Sequence, residues 1–271
     1  MVVKFKIFIY NLLFIRMKFW WELHFNSKIR LQLRNPQSIP IIIINFNQLF
    51  YLKKLVDFLI LRNFENIVII DNHSRYPPLL EYYETLPTNV IVERMTENLG
   101  HMVFFENAEL QKKYGRGFYV VTDPDINFYP DYPVDFMTKM LKLLIRYKLE
   151  VTKVGLALNL DDIPDHFTLK KKVLNWEKRF WENEVMKDVY KAIIDTTFAM
   201  YLPGFPQKFK TNGFYSALRI GGRYKVQHGG WYVNHKDLTA EQKFYQSTCM
   251  DISSWMVDEE GNLFEKSRRK Y

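Results

Sequence analysis

The sequence predicts an α/β fold with a mainly parallel sheet flanked by helices, and two observations lead to this prediction. Short runs of β-branched residues alternate with longer segments whose apolar residues recur at helical spacing. The chain of 271 residues is 48% hydrophobic and 17% aromatic, so it can bury a sizeable core and is not disordered. A repeated strand–helix–strand order predicts parallel neighbours with helices on both faces of the sheet.

The first half of the chain carries the clearest elements. Strands are predicted at 41–44, 67–70, 90–92 and 117–123, with helices at 49–61, 79–85 and 102–113 between them. In the second half a strand is predicted at 154–158, a helix at 169–190 and a strand at 193–201. The predicted division is an amphipathic segment 1–36, one domain 37–250 with halves 37–126 and 127–250, and a charged tail 251–271.

Polar side chains follow each of the first four strands where the apolar run ends. They are Asn45 and Asn47, Asp71 and Asn72, Arg94, and Asp123 and Asp125. Ligands in open parallel sheets bind at the carboxyl ends of the strands, so these groups are expected to converge on one edge. That edge is the predicted functional site.

The segment from Gly117 to Ile126 has the most informative chemistry. A buried strand ends in Asp123 and Asp125, and Pro124 between them stops the strand ladder. Two carboxylates one residue apart can share a hard divalent cation and leave coordination positions open for phosphate oxygens. An Asp-x-Asp sequence is common on any surface, but a preceding buried strand makes it moderately specific.

The other strand ends suit a nucleotide-sugar. Asp71 can accept hydrogen bonds from a base or a ribose hydroxyl, and Arg94 can pair with phosphate or cap the base edge. Asn98 and Gly100 let the backbone pass close to a ligand, because Gly100 has no Cβ. The other residues predicted to bind the nucleotide-sugar are Asn45, Asn47, Asn72 and Asp123.

Composition restricts the partners and the chemistry. A formal charge of +8 suits anionic partners such as nucleotides or phospholipid surfaces, whereas the polar strand ends speak against nucleic acid. The single Cys249 excludes an intrachain disulfide and a cysteine-built zinc site, which favours a cytoplasmic location. No Walker-type sequence occurs, and no Gly-x-Gly-x-x-Gly follows the first strand, so a P-loop ATPase and a Rossmann dehydrogenase are disfavoured.

The N-terminal segment is distinct from the rest. Residues 5–21 are largely apolar and aromatic but are interrupted by basic residues, and the uninterrupted part is too short to span a bilayer. Basic residues interleaved with Phe and Trp are typical of a helix at a membrane interface. The segment therefore predicts that the protein binds an anionic membrane surface, at the inner face of a membrane. A helix packed on the protein's own core is the alternative.

These blocks resemble the GT-A glycosyltransferases, especially those like family 2. Ile41–Asn47 looks like their first strand with its closing Asn, and Ile67–Ser74 like the second strand with the base-binding Asp. Asn98–Gly100 and Gly117–Asp125 are similar to the approach to their metal motif. The resemblance covers 39–126 well and the remainder loosely. It implies the GT-A (Rossmann-like) fold and transfer of a sugar from a nucleoside diphosphate with Mn²⁺ or Mg²⁺.

The resemblance also implies roles in the second half. Many GT-A enzymes use a late histidine as a third metal ligand, and His228 lies in that region; an ordinary surface turn is the alternative. Inverting transfer needs a carboxylate that deprotonates the acceptor hydroxyl. Asp195 is the first choice, with Glu177 and Glu182 in reserve, and a buried structural Asp195 is equally compatible with the sequence.

The acceptor side is predicted from acids and aromatic rings. Flat rings stack on the apolar faces of pyranoses while carboxylates bind their hydroxyls. The candidates are Asp162, Trp181, Trp231 and Tyr232. A solvated loop at 159–165 and ordinary core packing of the aromatic residues are the alternatives.

The sequence therefore predicts a metal-dependent hexosyl- or pentosyltransferase. It would move a sugar from a nucleoside-diphosphate sugar, with UDP favoured, to a hydroxyl of a glycan or a lipid-linked acceptor, and the resemblance favours inversion. A nucleotidyltransferase would share the sheet and the metal acids, but it usually has a Gly-rich basic loop where this chain has Asn45-Phe46-Asn47-Gln48. A non-catalytic GT-A-like protein that binds membranes or glycans is the remaining alternative. The chain departs from the family pattern after Asp71, because Asn72 and His73 stand where many members have a second acid.

Overall fold

The computed structural model describes residue 17 and residues 19–194, 197–204 and 212–249, within which helices and strands alternate along the chain. The helices are α1 (Ser27–Arg34), α2 (Phe50–Leu61), α3 (Pro77–Glu84), α4 (Val103–Glu106), α5 (Ala108–Tyr114), α6 (Phe136–Arg146), α7 (Lys170–Glu177) and α8 (Ala240–Thr248). The strands are β1 (Ile41–Asn45), β2 (Ile67–Asp71), β3 (Val90–Arg94), β4 (Tyr119–Thr122), β5 (Ile126–Asn127), β6 (Lys153–Leu156), β7 (Glu184–Met186), β8 (Val189–Ile193), β9 (Ala199–Tyr201), β10 (Ser216–Ile220) and β11 (Gln227–His228).

Nine strands of the described residues form one central sheet in the order β3-β2-β1-β4-β9-β6-β10-β8-β7. Strands β3, β2, β1 and β4 are parallel neighbours, and so are β6 and β10. Strand β9 runs antiparallel between β4 and β6 and joins the two halves, while β8 and β7 add an antiparallel edge. The predicted α/β fold with a mainly parallel sheet is confirmed, and it is the architecture that the GT-A resemblance implies.

Strand β1 is buried along its whole length because helices cover both faces of the sheet. Ile41 and Ile43 belong to the larger core cluster on one face. Ile42 and Ile44 belong to a second cluster on the other face, together with Phe104 of α4. Burial on both sides explains why the sequence of this strand is a continuous apolar run without polar alternation.

The parallel register brings the polar strand ends together. Asn45 at the end of β1 lies opposite Asp71 at the end of β2, and Asp71 lies opposite Arg94 at the end of β3. Strand β4 pairs with β1 on the other side and ends at Thr122, immediately before Asp123. The predicted convergence of these groups on one edge of the sheet is what the register produces.

A second, two-stranded sheet lies beyond this edge. Strands β5 and β11 pair antiparallel, with Asn127 opposite Gln227 and Ile126 opposite His228. Strand β5 follows Asp125 directly, so this pairing brings the late histidine back to the two acids that end the β4 segment.

The predicted helix at 169–190 is wrong in its second half. Helix α7 ends at Glu177, a 3-10 turn covers Lys178–Trp181, and the chain then forms the hairpin of β7 and β8. Asp188 has a left-handed φ of 60° in the two-residue turn of this hairpin. Val189 and Tyr190 favour strands, and the pairing of β8 with β10 outweighs the helical spacing of the nearby aromatic residues.

Two other predicted elements are interrupted. The predicted helix at 102–113 is divided at Asn107, whose side chain caps α5 by accepting hydrogen bonds from the N–H groups of Glu109 and Leu110. In the segment predicted as a strand at 193–201, β8 ends at Ile193 and β9 begins at Ala199, while residues 195 and 196 lie outside the described part of the chain.

The described part of the N-terminal segment packs on the core through one side. Residues 19–25 are helical, and Asn26 then caps α1 by accepting hydrogen bonds from the N–H groups of Lys28 and Ile29. Phe19 and Leu23 pack against the larger core cluster. None of the helices in the described residues is long and apolar enough to cross a membrane. The predicted tail 251–271 lies outside these residues.

Gln32 fastens α1 to the central sheet. This buried side chain donates from its amide nitrogen to the carbonyl of Phe118 at 2.8 Å and accepts from the Phe118 N–H at 2.8 Å. A Cβ at Gly117 would collide with the amide of Gln32, so this approach requires glycine. The contact lies just before β4, at the edge of the sheet opposite to the polar strand ends.

We expect Gln32→Leu to lower the free energy of unfolding by about 2 kcal/mol or more, because it leaves the buried N–H and carbonyl of Phe118 without partners. Urea unfolding followed by circular dichroism measures the change. Arg34→Met on the exposed side of the same helix is the matched control and should stay within about 0.5 kcal/mol of the wild type. Equal stability of both variants would show that the Gln32 contact contributes little.

Candidate functional site

Two acids and one histidine converge at the carboxyl end of β4. Asp123 and Asp125 follow this strand, and His228 ends β11 in the small sheet. One ligand atom from each of the three lies within 4.8 Å of those of the other two. The arrangement brings the late histidine to the Asp-x-Asp sequence. These three residues, whose role as metal ligands stays a prediction, are called the metal cluster.

Backbone groups hold Asp125 in place. Its carbonyl accepts a hydrogen bond from the N–H of Gly229 at 2.7 Å, and its Oδ2 accepts one from the N–H of Gly230 at 3.0 Å. The same Oδ2 lies 3.3 Å from Nδ1 of His228. A Cβ on Gly230 would lie only 3.0–3.1 Å from ring atoms of His228, so this close turn favours glycine.

The imidazole of His228 is oriented by Trp231. The two rings stack with centroids 5.1 Å apart, and the indole is only 1% exposed. Nδ1 of His228 is buried and has no hydrogen-bond partner among the described residues. Carboxylate and imidazole ligands together suit divalent ions such as Mn²⁺, so this donor set fits the metal that the sequence predicts. The burial of Trp231 gives it a contact with the histidine, and its acceptor-binding role stays a prediction.

Tyr51 completes this side of the cluster. Its ring packs so closely against Gly229 that a Cβ there would collide with it. Burial, together with the negative charges of Asp125 and Glu241, raises the pKa of the Tyr51 phenol to about 12. The phenol therefore keeps its proton at neutral pH and is available as a hydrogen-bond donor.

At the end of β2, Asp71 lies in a buried polar network. Its carboxylate accepts hydrogen bonds from the N–H of Ser74 at 3.3 Å and from the hydroxyl of Tyr83 at 3.2 Å. Nε of Arg94 lies 3.6 Å from Oδ2, and most of the arginine side chain remains exposed. Asn45 donates to the hydroxyl of Tyr83 at 2.9 Å, while its buried Oδ1 is without a hydrogen-bond partner in the part of the chain described.

Asn72 shapes the loop after β3. Its amide nitrogen donates to the carbonyl of Gly100 at 2.8 Å, and its Oδ1 accepts from the N–H of Leu99 at 3.0 Å. Oδ1 of Asn98 accepts from the N–H of Gly100, which has a left-handed φ of 77°. An ionised acid in place of Asn72 could not donate to the carbonyl of Gly100. The predicted donor-binding roles of these residues are not tested by their geometry.

Asn47 supports the loops around the site. With a left-handed φ of 52°, its Oδ1 accepts from the N–H groups of Arg75 and Tyr76, and its amide nitrogen donates to Thr248 of α8. Helix α8 is fastened a second time through Glu241, whose carboxylate accepts from the N–H groups that begin α2. The end of the described chain is thus bound to the loops after β1 and β2.

Asp162 is the centre of a hydrogen-bond network on the second half of the molecule. It accepts hydrogen bonds from Tyr129 at 2.7 Å, from Gln227 at 2.7 Å and from the hydroxyl of Tyr232. Burial opposes ionisation of Asp162, but these three donors outweigh it and hold the pKa of the carboxyl below its usual value. Gln227 precedes His228, so this network adjoins the metal cluster through β11.

A cavity of about 480 Å³ opens beside Asp162. Its lining includes Tyr129, Asn159, Asp161, Asp162, Arg223 and Lys225. Oδ1 of Asn159 is buried and, among the described residues, has no hydrogen-bond partner. The lining residues follow β5, β6 and β10, so the cavity lies at the same edge of the sheet as the metal cluster.

Of the three candidate bases, the two that the structure describes, Glu177 and Glu182, are not members of the metal cluster. Glu177 is buried and pairs with Arg219 of β10 at 2.7 Å, and the guanidinium lies 4.0 Å from the centroid of Phe180. Glu182 is exposed, and Trp181 packs edge-on against Tyr190 of β8. The first choice, Asp195, lies outside the described residues. The catalytic roles of these acids and the acceptor role of Trp181 stay predictions.

Three tyrosines and one glutamine at the site are absent from the sequence-based predictions. They are Tyr51, Tyr83, Tyr129 and Gln227. The sequence could have indicated Tyr51, because this residue lies in the first turn of α2. A helix that follows a strand begins near the carboxyl edge of the sheet. The others reach their partners through contacts between distant parts of the chain, which no local pattern reveals.

We expect Glu177→Ala to lower the free energy of unfolding by about 3–5 kcal/mol, because it leaves the buried guanidinium of Arg219 unpaired. Urea unfolding measures this loss. The control is Glu182→Ala, which removes an exposed acid five residues later and should change stability by about 0.5 kcal/mol or less. A Glu177→Ala protein that is fully stable yet inactive would instead make Glu177 a catalytic residue.

We expect Asp125→Asn to weaken Mn²⁺ binding about tenfold or more, because it removes one charged ligand and keeps an oxygen for the N–H of Gly230. Electron paramagnetic resonance of free Mn²⁺ during titration gives the dissociation constant. Asp57→Asn, which removes an acid paired with Lys53 on the surface of α2, is the control and should bind Mn²⁺ normally. Unchanged binding by both variants would exclude the metal cluster as the Mn²⁺ site.

Comparisons with known proteins identify similar structures only. No protein-family model matches the sequence, and no curated protein sequence matches it. The chain is similar to the mannosyltransferase PcManGT from Pyrobaculum calidifontis, solved with GDP-Man and Mn²⁺, with 16% identity, a TM-score of 0.41 and coverage of 77% of this chain and 66% of that chain. It is similar to S. aureus TarS 1–349, with 12% identity, a TM-score of 0.42 and coverage of 71% and 60%. The TarS complex with UDP has 15% identity, a TM-score of 0.41 and coverage of 70% of this chain and 60% of that chain. This chain therefore spans less than two thirds of the length of these solved chains.

Proposed function

We propose that the protein is a metal-dependent glycosyltransferase that uses a nucleoside-diphosphate sugar as its donor. The observation that carries the proposal is the gathering of Asp123, Asp125 and His228 at the carboxyl end of β4. Asp71 and Arg94 end neighbouring parallel strands at the same edge. A metal cluster beside a buried acid and an exposed cation fits a ligand with a diphosphate next to a polar base or ribose.

The donor would lie across the ends of β1 to β4. Asp71 would accept hydrogen bonds from the base or ribose, and the exposed guanidinium of Arg94 would contact the base edge or a phosphate. Tyr51 keeps its proton at neutral pH and would donate to a phosphate oxygen near Asp125. We favour a uridine nucleotide, and the other members of the donor set are Asn45, Asn47, Asn72, Asn98 and Gly100.

The metal cluster would hold Mn²⁺ or Mg²⁺. When bound, such an ion neutralises negative charge on a diphosphate leaving group. The chain's own contribution is to fix the ligands before the donor arrives, since backbone N–H groups orient Asp125 and Trp231 orients His228. A prearranged site stabilises the developing charge without reorganising.

The cavity beside Asp162 would receive the acceptor. It opens at the same edge of the sheet as the metal cluster, and it offers the carboxylate of Asp162 and the phenol of Tyr129 to hydroxyl groups. Such a lining suits a glycan or a lipid-linked saccharide. Asp162 and Tyr232 are the proposed acceptor-binding residues, together with Trp181 and Trp231.

In the proposed reaction the acceptor oxygen attacks the anomeric carbon, the bond to the diphosphate oxygen breaks, and a carboxylate takes the acceptor proton. Asp195 is the proposed base, and Glu177 and Glu182 are the reserves. The sugar would be a hexose or a pentose, and inversion follows from the family resemblance. We also propose that the enzyme works in the cytoplasm, at the inner face of a membrane.

We expect a uridine diphosphate sugar to raise the unfolding temperature of the purified protein only when Mn²⁺ is present, because a ligand that binds the folded state stabilises it by mass action. The panel contains UDP-, GDP- and nucleoside-triphosphate ligands, each with and without metal. Asp125→Asn should abolish the shift. Asp57→Asn, which removes a surface acid on α2, is the control and should keep it.

The other functions give different results in the same experiment. Stabilisation by a nucleoside triphosphate together with pyrophosphate release would identify a nucleotidyltransferase. Binding of Mn²⁺ without any nucleotide effect would contradict the donor site and favour a non-catalytic protein. Release of nucleoside diphosphate from one donor, dependent on Asp125, would support sugar transfer.

A further inference from the structure

Large aromatic side chains lie exposed beside one another near the N-terminus. Trp20, Trp21 and Phe25 are 54%, 60% and 56% exposed, and Leu31 on α1 is also exposed. The rings of Trp21 and Phe25 stack at 4.1 Å, and Phe25 contacts the ring of Trp20 edge-on at 6.1 Å. Contiguous exposed apolar side chains of this size mark an interaction surface, whereas single ones are ordinary.

Folding does not require this surface to be apolar. The same helical segments contact the core through other side chains, Phe19 and Leu23 in the first and Ile29 and Leu33 in the second. A helix that needs one face for the core normally turns polar residues to solvent on the other. Here the outer side also exposes large apolar side chains, so it is available for a partner.

Basic residues lie in the same part of the structure as the exposed apolar side chains. Lys28, Arg30 and Arg34 lie on α1, and Arg116 lies close enough to Lys28 to lower its pKa, after the larger effect of burial. The first 34 residues contain seven Lys or Arg and one Glu, in a chain whose formal charge is +8. Most of the net charge of the protein therefore belongs to this segment. The four named cations with Trp20, Trp21, Phe25 and Leu31 are called the aromatic–basic face.

We propose that the aromatic–basic face docks on an anionic phospholipid bilayer. Tryptophan combines a large apolar ring with one polar N–H, which suits the boundary between acyl chains and headgroups. Each basic residue near an anionic surface adds electrostatic attraction. A bilayer accommodates a surface that mixes apolar, aromatic and basic side chains without needing shape complementarity.

The face lies at the edge of the sheet opposite to the metal cluster. Two independent contacts establish this. Gln32 of α1 bonds Phe118, which precedes β4, whereas Asp123 follows β4. Phe19 contacts Lys148, which lies between the end of α6 and the start of β6. Five residues of extended chain separate Phe118 from Asp123, a distance of about 16 Å. A docked molecule would therefore hold its metal cluster away from the bilayer.

Sedimentation with vesicles tests the proposal on the full chain. The vesicles are phosphatidylcholine alone and phosphatidylcholine with phosphatidylglycerol. We expect the wild type to bind the anionic vesicles and to lose most of this binding in high salt. Trp20→Ser with Trp21→Ser should reduce the partition coefficient about tenfold or more, and Arg30→Gln with Arg34→Gln should reduce binding to anionic vesicles selectively.

The controls remove exposed apolar and basic side chains at the carboxyl edge instead. Val134→Ser removes an apolar side chain that is 80% exposed before α6, and Lys171→Gln with Lys187→Gln removes two exposed cations. These variants should bind like the wild type, and unfolding temperatures should be unchanged in all variants because every substituted side chain is exposed. A folded wild type that ignores anionic vesicles, or equal losses in variants and controls, would overturn the proposal. Sugar transfer is measured separately, without lipid. A failure of membrane docking can therefore be distinguished from a failure of the proposed function.

Discussion

The contact between Asp125 and the turn at Gly229–Gly230 is the constraint on which the site depends. It joins parts of the chain that are 105 residues apart, and both of its donors are backbone N–H groups. The N–H of Gly229 holds the backbone of Asp125, and the N–H of Gly230 holds its carboxylate. Because backbone donors have no rotamer freedom, they fix this residue more rigidly than side chains would. The same closure pairs β5 with β11, which sets His228 beside the acids and Gln227 beside Asp162. One turn therefore organises the metal cluster and the network around Asp162 together.

The parallel half of the fold was predictable because its signals are local. Strands covered by helices on both faces must be apolar at every position, and β1 and β2 are continuous isoleucine and valine runs. Once such strands are parallel and in register, their last residues have to meet at one edge. Asn45, Asp71 and Arg94 could thus be assigned to one site from the sequence before their partners were known.

The rest depends on contacts that have no local signature. The hairpin of β7 and β8 forms because β8 can pair with β10, so a helical spacing of aromatic residues pointed to the wrong element. The donors to Asp162 come from positions 33, 65 and 70 residues later or earlier in the chain. Asn72 is a local example, because its hydrogen bond to the carbonyl of Gly100 forms only in the folded loop and has no sequence pattern.

The separation of the aromatic–basic face from the metal cluster restricts which acceptors a docked molecule can use. A sugar joined directly to a membrane lipid stays among the headgroups. The metal cluster of a docked molecule would lie at the other end of the strands, about 16 Å away. The free end of a long lipid-linked chain, or a polymer in solution, can reach the opposite side. Such an enzyme would lengthen chains at their distal ends and would leave the first sugar on the lipid to a protein whose site faces the bilayer.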